Sequence, residues 1–277
     1  MKKSIYDTPI FFERYQQLRQ NPISMNEVVE KPTMFSLLPD LTGKKVLDLG
    51  CGTGVHLAHY LTLGAEKVVG LDLSELMLQQ AESDLSAHWQ KGNDFSLYCL
   101  PMERLNEISE GDFDVVTSSF AFHYIADFSE LLAKISQKMT ACGTLIFSQE
   151  HPIVTCYREG YRWEKNQEKQ QVAYRLNYYR EEGERDRSWF QQPFKTYHRT
   201  MATIVNNLIQ GGLRLCKWKN QCWQANLGGT MNLKIYSTVR RCCLSRRSSR
   251  NKVVILQPIK HYFAKTICSM LRKPLLF

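Results

Sequence analysis

The stretch Lys45-Val-Leu-Asp-Leu-Gly-Cys-Gly-Thr-Gly54 decides the fold. Lys45 to Leu49 is a short apolar strand, the glycines at 50, 52 and 54 form a loop, and Val55 to Leu63 continues with helical spacing. Alternate glycines let a backbone turn tightly and approach a ligand without Cβ atoms in the way. The helix that starts there presents unpaired N–H groups and the positive end of its dipole to whatever lies over the loop. A second apolar strand, Lys67-Val-Val-Gly-Leu-Asp72, ends in a carboxylate about 20 residues on, the place from which a ribose is held. A phosphate-cradling P-loop needs Lys-Ser/Thr where this chain has Val55-His56, and the dinucleotide fingerprint G-x-G-x-x-G needs glycine where it has Val55.

Asp48-x-Gly50-x-Gly52-x-Gly54 instead resembles motif I of the class I S-adenosylmethionine-dependent methyltransferases, and Gly70-x-Asp72 resembles the acidic motif that follows it. The resemblance runs over roughly residues 4–213. It implies an α/β fold: a Rossmann-like, doubly wound, mostly parallel sheet with an N-terminal helical cap and an inserted lid. It also implies S-adenosyl-L-methionine as cofactor, bound at residues 48–54, where Cys51 stands between two loop glycines and only a small side chain fits.

Taken as an average, the net charge of +9 over 277 residues misleads. Residues 1–213 hold 22 Lys and Arg and all 27 Asp and Glu, a net −5; residues 214–277 hold the other 14 basic residues and no acid. That tail also carries five of the nine cysteines: Cys216, Cys222, Cys242, Cys243 and Cys268. The cysteines lack paired zinc-type spacing, and no His/Cys/Asp/Glu pattern points to a metal. Free thiols fit a reducing cytosol, so a cytoplasmic protein is expected. No apolar run reaches the roughly 18 residues of a membrane span.

Three segments follow from these patterns. Residues 1–44 form the helical cap: Pro9 begins a helix carrying Phe11, Tyr15 and Leu18 on one face, and a second piece runs from about Pro32 to Leu38. By resemblance, a cap tyrosine faces the cofactor, Tyr6 and Tyr15 being the candidates. Residues 45–213 form the cofactor-binding domain. Here Ser74 caps a helix from Glu75 to Trp89, with Leu73 and Met77 beginning its apolar stripe. Ser96 to Leu100 is a third strand. The resemblance sets Met102 against the adenine, Glu103 near its exocyclic amine, and Ser119, at the end of the strand Asp112 to Ser119, beside the methyl group. Asp127 and Glu130 make a capping box, Gly143 ends that helix, and Thr144 to Ser148 is the fifth strand, running into Gln149-Glu-His-Pro152.

Residues 153–197 are the inserted lid, with Tyr157, Tyr161, Trp163, Tyr174, Trp189 and Phe190 among many charges. A neutral imidazole accepts a proton near pH 7, so His151 and His123 are the candidate catalytic bases. His56 and His59 are expected on the surface. A helix then runs from Thr200 to Gln210, and a sixth strand from Leu213.

The tail, residues 214–277, departs from the family, which closes its sheet with an antiparallel edge pair. Three readings stay open: an altered reading frame near 213–216, a basic arm for nucleic acid or anionic membrane, or a seventh strand at Val253 to Leu256 with arginines in its loop. The expected partner is a small-molecule methyl acceptor, modified at O, N or C. The rivals are an RNA acceptor bound through the tail, and a non-catalytic protein that binds the cofactor.

Overall fold

The computed structural model describes residues 4–159, 163–221 and 252–258. Tyr161 and most of the basic tail, including Cys222, Arg240 to Arg250 and Cys268, lie outside the described residues.

The first strand, β1 (Lys45–Leu49), is central. Around it lie β2 (Lys67–Asp72), β3 (Phe95–Cys99), β4 (Phe113–Ser119) and β5 (Met139–Ser148), with β10 (Arg214–Gln221) and β11 (Lys252–Pro258) at one edge. The order is β10-β11-β5-β4-β1-β2-β3, and every pairing in this seven-stranded sheet is parallel. The chain leaves β1 toward one side, then returns to β4 on the other. Crevices at such reversals, over the carboxyl ends of the strands, are where open α/β sheets bind ligands.

Helices cover both faces. On one lie α3 (Val55–Thr62), α4 (Glu75–Ser86) and the cap helix α2 (Lys31–Phe35), over Val46, Val68, Val115 and Ile146. On the other lie α5 (Phe128–Lys138) and α7 (Met201–Gln210), over Leu47, Val69, Val116, Leu145 and Phe147. Each such fully buried apolar side chain is worth roughly 1.5–3 kcal/mol, so the alternation along each strand fixes its register between the two layers. The predicted caps form: Ser74 Oγ accepts the Met77 N–H at 3.2 Å and Asp127 accepts the Glu130 N–H at 2.8 Å; Thr200 Oγ1 likewise caps α7, accepting the Thr203 N–H at 3.2 Å.

The cap also contains α1 (Pro9–Arg19), with Pro9 in its first turn, and a π-helical turn at Asn26–Glu30. The lid follows the short α6 (Pro152–Thr155) as two antiparallel hairpins, β6 (Trp163–Lys165) with β7 (Gln171–Tyr174) and β8 (Gly183–Trp189) with β9 (Gln192–His198). No described helix is long and apolar enough to cross a membrane.

Three expectations need correction. Lys252–Pro258 is the seventh strand but runs parallel to both neighbours, where the family pattern called for an antiparallel edge. Gly143 does not end α5: the helix stops at Lys138 and β5 starts at once, with Gly143 beside a register shift that faces Phe113. His56 is buried rather than on the surface, edge-on to Phe35 at 5.2 Å, because α3 presents it to the cap.

Candidate functional site

The loop after β1 turns on left-handed residues. Gly50 has φ +77°, and a Cβ there would stand 2.7 Å from Ala121 Cβ and 2.9 Å from Met102 Cε, so both the angle and the space demand glycine. A Cβ at Gly52 would meet nothing within 4 Å, which leaves the space over the loop open to a ligand. Gly54, also left-handed, caps α3 without any side-chain bond to the helix N-terminus. The Gly50 N–H donates to Leu71 O at 2.7 Å and ties the loop to β2.

Asp72 ends β2 beside this loop. Its carboxylate accepts the Gly52 N–H at 2.9 Å and the Ser74 N–H at 2.9 Å. Burial pushes its pKa up, against the lowering effect of those two bonds. The cap reaches the same corner: Asp7 accepts from Ser74 Oγ at 2.7 Å and from the Leu76 N–H at 3.3 Å.

Asp48 lies one strand over, 1% exposed, accepting from Thr117 Oγ1 at 2.9 Å. Burial raises its pKa, opposed by His56 and Thr117. At the ends of β4 and β5 the hydroxyls of Ser119 and Ser148 both donate to one oxygen of Glu30, at 2.6 and 2.8 Å. Glu30 is 1% exposed, and its second oxygen has no partner. Sequence reasoning missed Glu30. It lies in an unremarked cap segment, and only docking of the cap brings it to strands 89 and 118 residues away.

Aromatic rings close the crevice. The Tyr6 hydroxyl is 3.4 Å from that of Tyr124, and the Tyr6 ring meets Phe11 and Tyr15 edge-on at 5.1 and 5.2 Å. The tip of the β8–β9 hairpin adds Trp189 and Phe190, each 5.5 Å from Phe11. Burial, above all, raises the pKa of both Tyr6 and Tyr124, so both stay protonated. Tyr15 accepts from Arg19 Nε at 2.7 Å.

Asp48, the three glycines, Asp72, Met102 and Ser119 thus converge at the carboxyl ends of β1, β2 and β4. The other predicted residues are placed less alike. Cys51 packs its buried thiol beside Gly70, and burial pushes its pKa well up, so it is held as an inert thiol. Leu73 is half-buried, Met77 is buried in α4, and Glu103 is exposed on the turn after β3.

The two histidines occupy different settings. His151 caps α6, its Nδ1 accepting the Ile153 N–H at 3.2 Å. Burial lowers its pKa, so the neutral ring carries its proton on Nε2. His123 is buried, its ring 4.3 Å from that of Tyr124, and lines a small cavity with Gln149, Glu150, Tyr197 and Arg199. Arg199 donates to the backbone oxygens of Phe122, Ile125 and Ala126, fixing the turn that carries His123. Its pKa is drawn down by burial to about 10, which leaves it charged at neutral pH. A larger cavity, lined by Lys45, Lys67, Glu110 and Phe113, opens at the amino ends of the strands, away from all these groups.

Open space over Gly52, a helix N-terminus, a ribose-type carboxylate and an orphaned buried oxygen suit a nucleoside with a polar amino-acid end. Comparison with known proteins agrees. A methyltransferase-domain family matches residues 46–143. An uncharacterized protein of Haemophilus influenzae is 65% identical over 214 residues, 77% of this chain and 84% of that one. An S-adenosylmethionine-dependent methyltransferase of Mesorhizobium loti is 30% identical in structure-based comparison, with TM-score 0.59, covering 68% of this chain and 83% of the other. A Listeria monocytogenes structure described as a candidate enzyme of the same kind is 32% identical, with TM-score 0.57, covering 66% and 83%. With relatives of that identity matched over most of their length, and with the glycine loop and Asp72 built as described, the chain belongs to the S-adenosylmethionine-dependent methyltransferases.

Proposed function

We propose that the chain methylates a small-molecule acceptor, at oxygen, nitrogen or carbon. The observation that carries this reading is the enclosure over β4 and β5. Tyr6 meets Tyr124, and Phe11 meets Trp189 and Phe190, so rings of the cap pack against the lid and the turn after β4. A cap and lid packed over this end of the sheet suit a compact acceptor better than a polynucleotide.

Bound across residues 48–54, S-adenosylmethionine supplies a methyl group activated on a sulfonium. The chain's own residues then orient and exclude water, and good orientation alone recovers roughly 7–11 kcal/mol of such a barrier. In this reading Asp72 holds the ribose hydroxyls, Met102 lies against the adenine with Glu103 at its rim, and Leu73 and Met77 support the same side. Ser119 and Tyr15 border the methionine end. For an acceptor that must lose a proton, His123 is the base, carried on the turn that follows β4. His151 presents Nε2–H and so donates a hydrogen bond to the acceptor.

The test is incubation of the full chain with labelled S-adenosylmethionine and either a metabolite extract or total RNA. Label is expected in the small-molecule fraction, and His123→Ala should lower turnover with cofactor affinity retained. Label in RNA would favour the rival reading. Truncation at residue 213 would remove β10 and β11, so the tail is better probed by replacing Arg240, Arg241, Arg246, Arg247 and Arg250 with Gln. An RNA enzyme would then lose salt-sensitive binding. The matched length of the Haemophilus relative, 214 residues, leaves about as much chain uncovered as lies beyond the composition break.

A further inference from the structure

Glu30 is an unusual group to bury. It ends the five-residue π-helical turn Asn26–Glu30, immediately before α2. Single π turns recur at functional sites because they re-aim one side chain. One oxygen is saturated by Ser119 and Ser148, while the other has no donor. Burying half of a carboxylate without a partner costs more than its two hydrogen bonds return.

The surroundings define what is missing. Among the described residues, Glu30, Asp48 and Asp72 form no ion pair. Arg19 feels the charge of Glu30 but spends its Nε on Tyr15. A hydrogen-bond donor carrying positive charge would satisfy both the open lone pairs and the buried charge.

Its position follows from the strand order β5-β4-β1-β2. Asp72 ends β2, while Glu30 is held between the ends of β4 and β5. At about 4.8 Å per strand, the two lie roughly 10–14 Å apart across the sheet. A nucleoside whose ribose rests on Asp72 and whose chain crosses Gly50 ends near Glu30.

The geometry points to the free oxygen of Glu30 as the receptor for the α-ammonium group at the methionine end of the cofactor, which makes Glu30 a cofactor-binding residue delivered by the cap. This rests on the placement of the ribose at Asp72. On this reading the docked cap contributes directly to cofactor affinity.

Calorimetry on the full chain tests it with three ligands: S-adenosylhomocysteine, its des-amino analogue, and 5′-methylthioadenosine, which lacks the amino-acid end. The wild type should prefer S-adenosylhomocysteine to the des-amino analogue by roughly tenfold to a hundredfold, the worth of a hydrogen bond to a charged group. In Glu30→Gln the two should bind alike, with methylthioadenosine affinity unchanged. Glu30→Asp keeps the charge, shortens the reach and should fall between; it also serves if the Gln variant does not melt cooperatively. Equal wild-type affinity for the two homocysteine ligands would overturn the inference. So would equal losses for methylthioadenosine and S-adenosylhomocysteine, or unchanged S-adenosylhomocysteine binding in Glu30→Gln. Asp72→Ala separates the two placements: if it spares methylthioadenosine, the ribose site is wrong whatever Glu30 does.

Discussion

The two ends of the crevice are built in opposite ways. At the β1–β2 end the carboxylate of Asp72 is held by backbone N–H groups of Gly52 and Ser74, 20 and 2 residues away in sequence. At the β4–β5 end Glu30 is held by side-chain hydroxyls 89 and 118 residues away, and one of its buried oxygens has no partner. The first end is local backbone geometry, complete once the loop turns. The second exists only after the cap has docked.

The largest effect should come from breaking the local end outright. Gly50→Val puts a β-branched residue at φ +77° with contacts under 3 Å to Ala121 and Met102. It should destabilise the fold by roughly 2–5 kcal/mol in denaturant melts and abolish cofactor binding. A normal melt with normal affinity would show that the loop is looser than described. Next comes Asp72→Ala, which should weaken S-adenosylhomocysteine and methylthioadenosine together by about tenfold or more. The Glu30 variants sharpen the contrast, since they should discriminate between those two ligands.

The smallest expected effect concerns stability without ligand. Asp48 has its pKa raised, chiefly by burial. The native state therefore holds that proton more tightly than the unfolded chain does. Stability contributed by this group falls as pH rises from the ordinary carboxylate value to the raised one. Asp48→Asn should flatten that part of the profile and melt at or above the wild-type temperature near neutral pH. A steeper profile, or a large loss of stability at neutral pH, would mean that the Asp48 charge stabilises the loop.

The same division explains what the sequence made legible. Asp48, the glycine triplet and Asp72 are close together, and their spacing is itself the geometry, so the fold and the local end could be written down in advance. Short apolar runs marked β1 to β5, and single cap residues such as Ser74 and Asp127 marked their helices. Glu30 left no trace because nothing within ten residues of it binds its carboxylate. His56 was misplaced because its burial depends on Phe35 of the cap, which no helical periodicity within α3 encodes. The parallel direction of β11 depends on the connection after β10 and not on the apolar run Val253 to Leu256.

The most direct measurement is a crystal structure of the full chain with S-adenosylhomocysteine. The predicted result is a nucleoside lying over residues 50–54, its ribose hydroxyls on the Asp72 carboxylate and its amino group directed to Glu30. Nucleoside density anywhere else, or a glycine loop filled by the protein's own side chains in that crystal, would contradict the account.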